Sequence, residues 1–303
     1  MKSSQQSRSF LQALLQKPPS LPFEPALLPM LFTATKEDSM SSTSDLAALI
    51  DHSQNLATRV LSVANSASYG LEFKVSTLQR AISILGIREI RLLAVMVGMA
   101  YLIKNTKLPD SFNVTALWKH QLNVAVVAKV LAAELGGASG VCGPSAREED
   151  RLSAIPDEAY VAGLLHDIGK VFFAASRPDL WEEVEIKRKE SSLPYFEVEN
   201  AYWGMDHALI GVAVLHHWKL PLLLTEPINW HHAPELSPTY KMEARLLAAA
   251  NQIAHNGLDA KEGLLCGEAI SLLPQGVDAV ALGSALARSL VKDGTEVFEA
   301  LVK

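Results

Sequence analysis

Gly163-Leu164-Leu165-His166-Asp167-Ile168-Gly169-Lys170 decides how this chain is read. An imidazole and a carboxylate stand side by side among Leu, Ile, Val and Phe, and a lysine follows one helical turn on. The apolar spacing around them has a helical period from about Asp157 to Ala175. Burying two ionisable groups in such company costs several kcal/mol unless something pairs with them. A divalent metal is the strongest compensator, because neutral imidazole and carboxylate are its ordinary ligands. The pair is therefore either a metal site or the remnant of one.

Outward from this stretch, helical periodicity recurs and strand alternation is weak, which makes the chain all-α. Asp45 to Ile50 and Leu56 to Asn65 read as two short helices. Ser76 is placed to cap a helix running to Leu85, which Gly86 ends. Ile87 to Asn105 lacks a polar face and belongs inside the protein. Asn113 to Leu135 is the next helix, stopped by Gly136-Gly137, and Gly136 to Pro156 reads as a mobile loop. Further helices are expected near Leu180 to Glu190, Tyr195 to Tyr202, Asp206 to Trp218, Leu222 to His231 and Tyr240 to His255. Two more patterns follow at Asp278 to Val291 and Glu296 to Val302. After a polar start, Pro18-Pro19-Ser20-Leu21-Pro22 reads as an extended entry.

Nearly half of the 303 residues are hydrophobic and a fifth are charged, the balance of a packed globular chain with one large core or two modest ones. The net charge of −6, with basic residues scattered apart from Lys187-Arg188-Lys189, leaves no footprint for nucleic acid or an anionic membrane. Cys142 and Cys266 stand far apart in no C-x-x-C spacing, against a disulfide framework or a thiolate zinc site. Phe10 to Leu15 is too short for a signal sequence. Leu92 to Ile103 is too short to cross a bilayer. A cytoplasmic chain with neither nucleic acid nor membrane as partner is the expectation.

The histidines extend the argument beyond the doublet. His120 lies mid-helix, His207 begins a helix, and His231-His232 ends one. A helical bundle brings such side chains together in its core, the usual way these proteins build metal sites. Taken singly, each has a plainer reading: a hydrogen-bonded core residue for His120, a first-turn residue for His207, a partner of the helix dipole for His231-His232. Lys170 falls on the face of His166, where it orients a phosphate or reaches solvent. His52, His216, His217 and His255 have no special context and read as surface or capping residues.

Ordered motifs accompany these residues. They are Leu21-Pro22, then Leu61-Ser62-Val63-Ala64-Asn65-Ser66-Ala67-Ser68-Tyr69-Gly70, then Ala81-Ile82-Ser83-Ile84-Leu85-Gly86. Gly163 to Lys170, Gly204-Met205-Asp206-His207 with Gly211, Trp218-Lys219-Leu220-Pro221 and His231-His232 follow. Together they resemble the HD superfamily of metal-dependent phosphohydrolases, and more closely its HDOD branch. The resemblance implies an HD-like multi-helix bundle preceded by an N-terminal helical subdomain. Its segments would be 1–20, an N-terminal helical part at 21–110, the bundle at 111–258 and C-terminal helices at 259–303.

In catalytic members of the superfamily one metal is held by a first His, the His-Asp pair and a distal Asp. Those positions match His120, His166, Asp167 and the Ala250-Asn251 step, where Asn251 stands in place of the aspartate. A second metal, found in the related HD-GYP enzymes, matches Asp167, His207, His231 and His232, all present. The Gly-Tyr-Pro signature is replaced by Ala233-Pro234-Glu235-Leu236. One or two divalent ions are thus implied, of the zinc, iron, nickel or manganese kind, the first bound weakly because an amide lacks the carboxylate's charge. HDOD proteins are viewed as regulatory relatives of the hydrolases in bacterial signal transduction. The resemblance therefore implies a non-catalytic module whose partner is a signalling protein or a small phosphorylated ligand. The alternative is a phosphohydrolase of a nucleotide or cyclic dinucleotide, with Asp167 bridging metals and Lys170 steadying a phosphate oxygen as its catalytic residues.

Overall fold

Local periodicity is realised as helix almost wherever it was legible. The computed structural model describes residues 2–35, 39–136, 152–256, 267–274 and 282–286, and no strand occurs among them. The helices are α1 (Lys2–Gln16), α2 (Leu27–Ala34), α3 (Thr43–Asp51), α4 (Gln54–Ala64), α5 (Leu78–Leu85), α6 (Ile87–Asn105), α7 (Val114–Gly136) and α8 (Pro156–Leu165). They continue with α9 (Ile168–Ser176), α10 (Pro178–Glu190), α11 (Tyr195–Trp203), α12 (His207–His217), α13 (Leu222–Trp230), α14 (Lys241–Asn256) and α15 (Gly267–Ser271). Most of the Gly136 to Pro156 loop, both cysteines and the Glu296 to Val302 pattern lie outside the described residues. Of the Asp278 to Val291 pattern, only residues 282–286 are described, and they are helical. No described helix is long and apolar enough to cross a membrane.

The described chain forms two compact units. One consists of Pro19–Thr106 with His217–Pro221. In it α3 opens on a reciprocal capping box, with Ser42 N–H donating to Asp45 Oδ2 at 2.8 Å and Asp45 N–H to Ser42 Oγ at 3.2 Å. Helix α5 is capped by Thr77 Oγ1, which accepts from Arg80 N–H, and not by Ser76. Helix α6 buries Ile90 through Ala100 together with Leu102 and Ile103, as its lack of a polar face requires. Even Arg91 is buried there, its guanidinium over the Phe32 ring at 5.1 Å.

The other unit gathers α1 and the helices from α7 onward, apart from that short segment. Its centre is the packing of α7 on α8, with α14 across both. Close approach depends on Gly163, since a Cβ there would come within 2.5 Å of Ala125 Cα. Helix α1 was not anticipated, because its first turns are polar and its described apolar burial is confined to the short stretch holding Phe10 and Leu14. Phe10 meets Trp203 edge-on at 4.8 Å, and Trp203 stacks on Phe173 at 4.8 Å.

One expectation needs correcting. The single helix foreseen from Asp157 to Ala175 is two helices, α8 and α9, with His166-Asp167 as the turn between them. Asp167 sits at φ −102°, ψ 7°, at the N-cap position of α9. The break lets α9 press against α12. A Cβ on Gly169 would fall on the His207 carbonyl oxygen and 2.7 Å from Gly211 N. Apolar periodicity runs on through the turn, so the sequence pattern does not mark it.

Candidate metal centre

Six segments of one unit converge on Asp167. Helix α7 contributes His120, the α8–α9 turn His166 and Asp167, and α9 Lys170. His207 opens α12, His231 and His232 follow the last residue of α13, and Asn251 and His255 lie on α14. Asp167 Oδ1 is 2.9 Å from His207 Nε2. Its other oxygen, Oδ2, is 3.5 Å from His166 Nε2 and 3.7 Å from His120 Nε2. The donor atoms fall into two groups, His120–His166–Asp167 and His207–His231–His232, each within 4.8 Å of one another. All six ligand positions implied by the family resemblance are thus brought together around one carboxylate.

The second nitrogen of each deeply buried ring is tied down, which fixes where the first one points. His166 Nδ1 donates to the Gly163 carbonyl at 2.8 Å, and His231 Nδ1 to the Ile228 carbonyl at 2.7 Å. A carbonyl only accepts, so both rings carry their proton on Nδ1 and present a bare Nε2. His207 Nδ1 donates to Glu199 Oε2 at 2.6 Å, and the same oxygen accepts the His207 backbone N–H at 2.9 Å. His232 stacks on Phe196 at 4.2 Å with its Nε2 3.0 Å from His207 Nε2.

These constraints leave His120 Nε2, His166 Nε2 and His231 Nε2 buried without a hydrogen-bond partner. Each such group costs about 1–3 kcal/mol if nothing satisfies it. Lone pairs aimed at a shared centre from rings held by backbone or carboxylate are the arrangement that metal-binding histidines adopt. The residues present therefore fit a divalent ion.

Electrostatics point the same way. Burial lowers His120 to a pKa of about 4, with His255 lowering it further and Asp167 opposing. Burial likewise lowers His231 to about 4 and holds His166 and His232 well below the usual imidazole value. Burial alone would raise Asp167, yet His166, Lys170 and His207 keep its carboxyl well below the ordinary range. Four neutral imidazoles thus face an anion. His207 differs: burial opposes its charge, but Glu199 and Asp167 outweigh that and lift its pKa to about 9.

The two pockets are unequal. Lys170 Nζ donates to Asp167 Oδ2 at 2.6 Å, so an ammonium already pairs with the carboxylate oxygen that faces His120 and His166. Asn251 stands near enough to His120 to act on its proton, while its Oδ1 is buried without a hydrogen bond. The opposite pocket keeps three imidazoles, Asp167 Oδ1 and the Glu199 support. Glu199 was not anticipated. A lone glutamate eight residues before His207 carries no pattern, and only its complete burial within hydrogen-bond reach reveals it. His255, read as having no special context, is exposed, yet its ring stands 4.5 Å from His120.

A helical bundle that closes an adjacent His-Asp pair against histidines from other helices is the architecture of the HD superfamily. The chain belongs to the HDOD domain family, whose model matches residues 21–234. An HDOD domain protein of unknown function from Geobacter sulfurreducens has a similar structure at 23% identity, with a TM-score of 0.71 over 98% of both chains. A Shewanella amazonensis SB2B protein, provisionally named a phosphohydrolase, matches at 24% identity and TM-score 0.68, over 92% of this chain and 93% of its own. At these identities the likeness is one of fold. A Treponema pallidum (strain Nichols) protein, uncharacterised in function, is 26% identical over 209 residues, 69% of this chain and 37% of its own length. The chain thus spans little more than a third of that relative.

Proposed function

We propose that this HDOD protein is a regulatory module of signal transduction that keeps a metal-binding site but does not use it for fast hydrolysis. The observation that carries this reading is the state of the His120 pocket: Asn251 replaces its second carboxylate, and Lys170 pairs with the one that remains at 2.6 Å. A hard divalent ion entering there meets a neutral amide and a carboxylate oxygen already paired with a cation. When bound, such an ion supplies Lewis acidity and a water of lowered pKa. The chain's own part is to orient His166, His207 and His231 and to hold Asp167 anionic between two pockets. A neighbouring signalling protein or a small phosphorylated ligand is the partner this reading assigns.

The hydrolase reading draws on the intact His207–His231–His232 pocket, with Lys170 close enough to Asp167 to reach a phosphate beside it. The Asn251→Asp variant separates the two. Protein stripped with chelator and reloaded with manganese, iron or zinc is assayed for metal content and for cleavage of a generic phosphodiester. The regulatory reading expects little turnover by wild type, and gain of both manganese binding in the His120 pocket and turnover by Asn251→Asp. Robust turnover by the fully loaded wild type would sink it.

A further inference from the structure

We propose that His255 replaces the missing aspartate as the fourth donor of the His120–His166–Asp167 pocket, converting it into a closed, imidazole-rich site for zinc or cobalt. This rests on the reading that the centre holds metal, and goes beyond it by naming a ligand from this chain and the class of ion it selects.

Position on the helix comes first. His255 is four residues after Asn251 on α14, and residues four apart share a helix face. Helical side chains lean toward the N-terminus, so a ring at 255 covers the turn above position 251. It is found there, with the His120 and His255 ring centroids 4.5 Å apart and the planes 31° apart. Asp167 and Lys170 both act electrostatically on His255. On the other side of His120, His166 lies at 5.2 Å between ring centroids. His120 is thus flanked by two imidazoles, with its Nε2 and Asn251 Oδ1 both buried and without a well-aligned hydrogen bond, and with Asn251 close enough to act on the His120 ring.

Chemistry sets the consequence. The family pattern pairs two imidazoles with two carboxylates, a harder donor set. Exchanging one carboxylate for His255 gives three imidazoles and one carboxylate, donors that favour zinc and cobalt over magnesium and manganese. Four protein donors around a four-coordinate ion leave no open position, the mark of a structural site rather than a catalytic one. In this structure the His255 nitrogens lie outside the His120–His166–Asp167 donor group, and because His255 is exposed a ring rotation is all that would bring one in, with the core left packed.

The test uses the full chain, stripped with chelator and titrated with cobalt by visible absorption and with zinc by calorimetry. A His232→Ala background silences the other pocket. In that background the His120 pocket is expected to take one cobalt with the intense bands of four-coordination. Adding His255→Ala should weaken it about tenfold or more and replace those bands by weak six-coordinate ones. Placing Asn251→Asp on top should restore affinity, now with manganese competing. Cobalt uptake that His166→Ala abolishes but His255→Ala leaves unchanged in affinity and spectrum overturns the inference while sparing the metal reading. Failure of wild type to take up metal in either pocket defeats both.

Discussion

Glu199 shows how much one buried carboxylate decides. Its Oε2 accepts from both the backbone N–H and Nδ1 of His207, so ring and helix start are fixed by a single oxygen. That fixes the ring nitrogen facing Asp167 as Nε2, the atom a metal would use. Replacing Glu199 by Gln keeps the shape but removes the charge that holds His207 in place. Metal affinity of the His207–His231–His232 pocket should then fall about 10–100-fold, as is usual when such a supporting carboxylate is lost. Competition against a chelating dye measures the loss, and an unchanged far-ultraviolet circular dichroism spectrum would separate it from unfolding. An affinity equal to wild type would mean that backbone packing alone orients the ring.

At the scale of elements, two contacts bring the ligand-bearing helices into place. The first is α9 against α12, where Gly169 leaves no room for a side chain beside the His207 carbonyl. Gly169→Ala must push the helices apart, and overpacking costs about 1–3 kcal/mol, with a Cβ driven onto a backbone oxygen at the upper end. Urea denaturation should show that loss together with weaker metal uptake, since the same shift separates Asp167 from His207. The second is the start of α14, held by Glu226 from α13. Its Oε1 accepts from Ser237 Oγ at 2.7 Å, Thr239 N–H at 2.6 Å and Tyr240 N–H at 2.7 Å. Burial raises the Glu226 pKa, but these donors outweigh burial and bring it below 4.5. A carboxyl depressed in the folded state stabilises above its unfolded pKa and loses that contribution as pH falls through the folded value. Glu226→Gln should therefore cost about 1–3 kcal/mol at neutral pH, and the gap from wild type should narrow below about pH 4, as urea midpoints at both pH values would show.

For the molecule as a whole, a metal drawn to these pockets is a stabilising ligand. An ion at roughly 100 times its Kd adds about 2.7 kcal/mol to the state that binds it. For a unit of this size that corresponds to a rise in Tm of about 5 °C or more. Calorimetric scans with zinc and with chelator should show the shift in the transition of the unit carrying the site. His166→Ala should remove most of it. A Tm indifferent to zinc and chelator would mean that the orphaned nitrogens are satisfied in some other way.

Helical class and most helix positions were legible in the sequence because apolar periodicity, caps and glycine stops act within a few residues. So were the six candidate ligands, since histidines beside an apolar His-Asp doublet stand out by type and order. What sequence could not deliver were features defined by distant neighbours. The break at His166-Asp167 accompanies the close approach of α9 to α12 at Gly169, and α1 is placed by the docking of Phe10 on Trp203. Glu199 stands out only because it is buried against His207, and the proposal for His255 arises only because α14 lays its ring beside His120. Local sequence thus determined the helices and supplied the chemistry, whereas tertiary packing decided which lone pairs face one another, because a ligand set is a property of convergence and not of spacing along the chain.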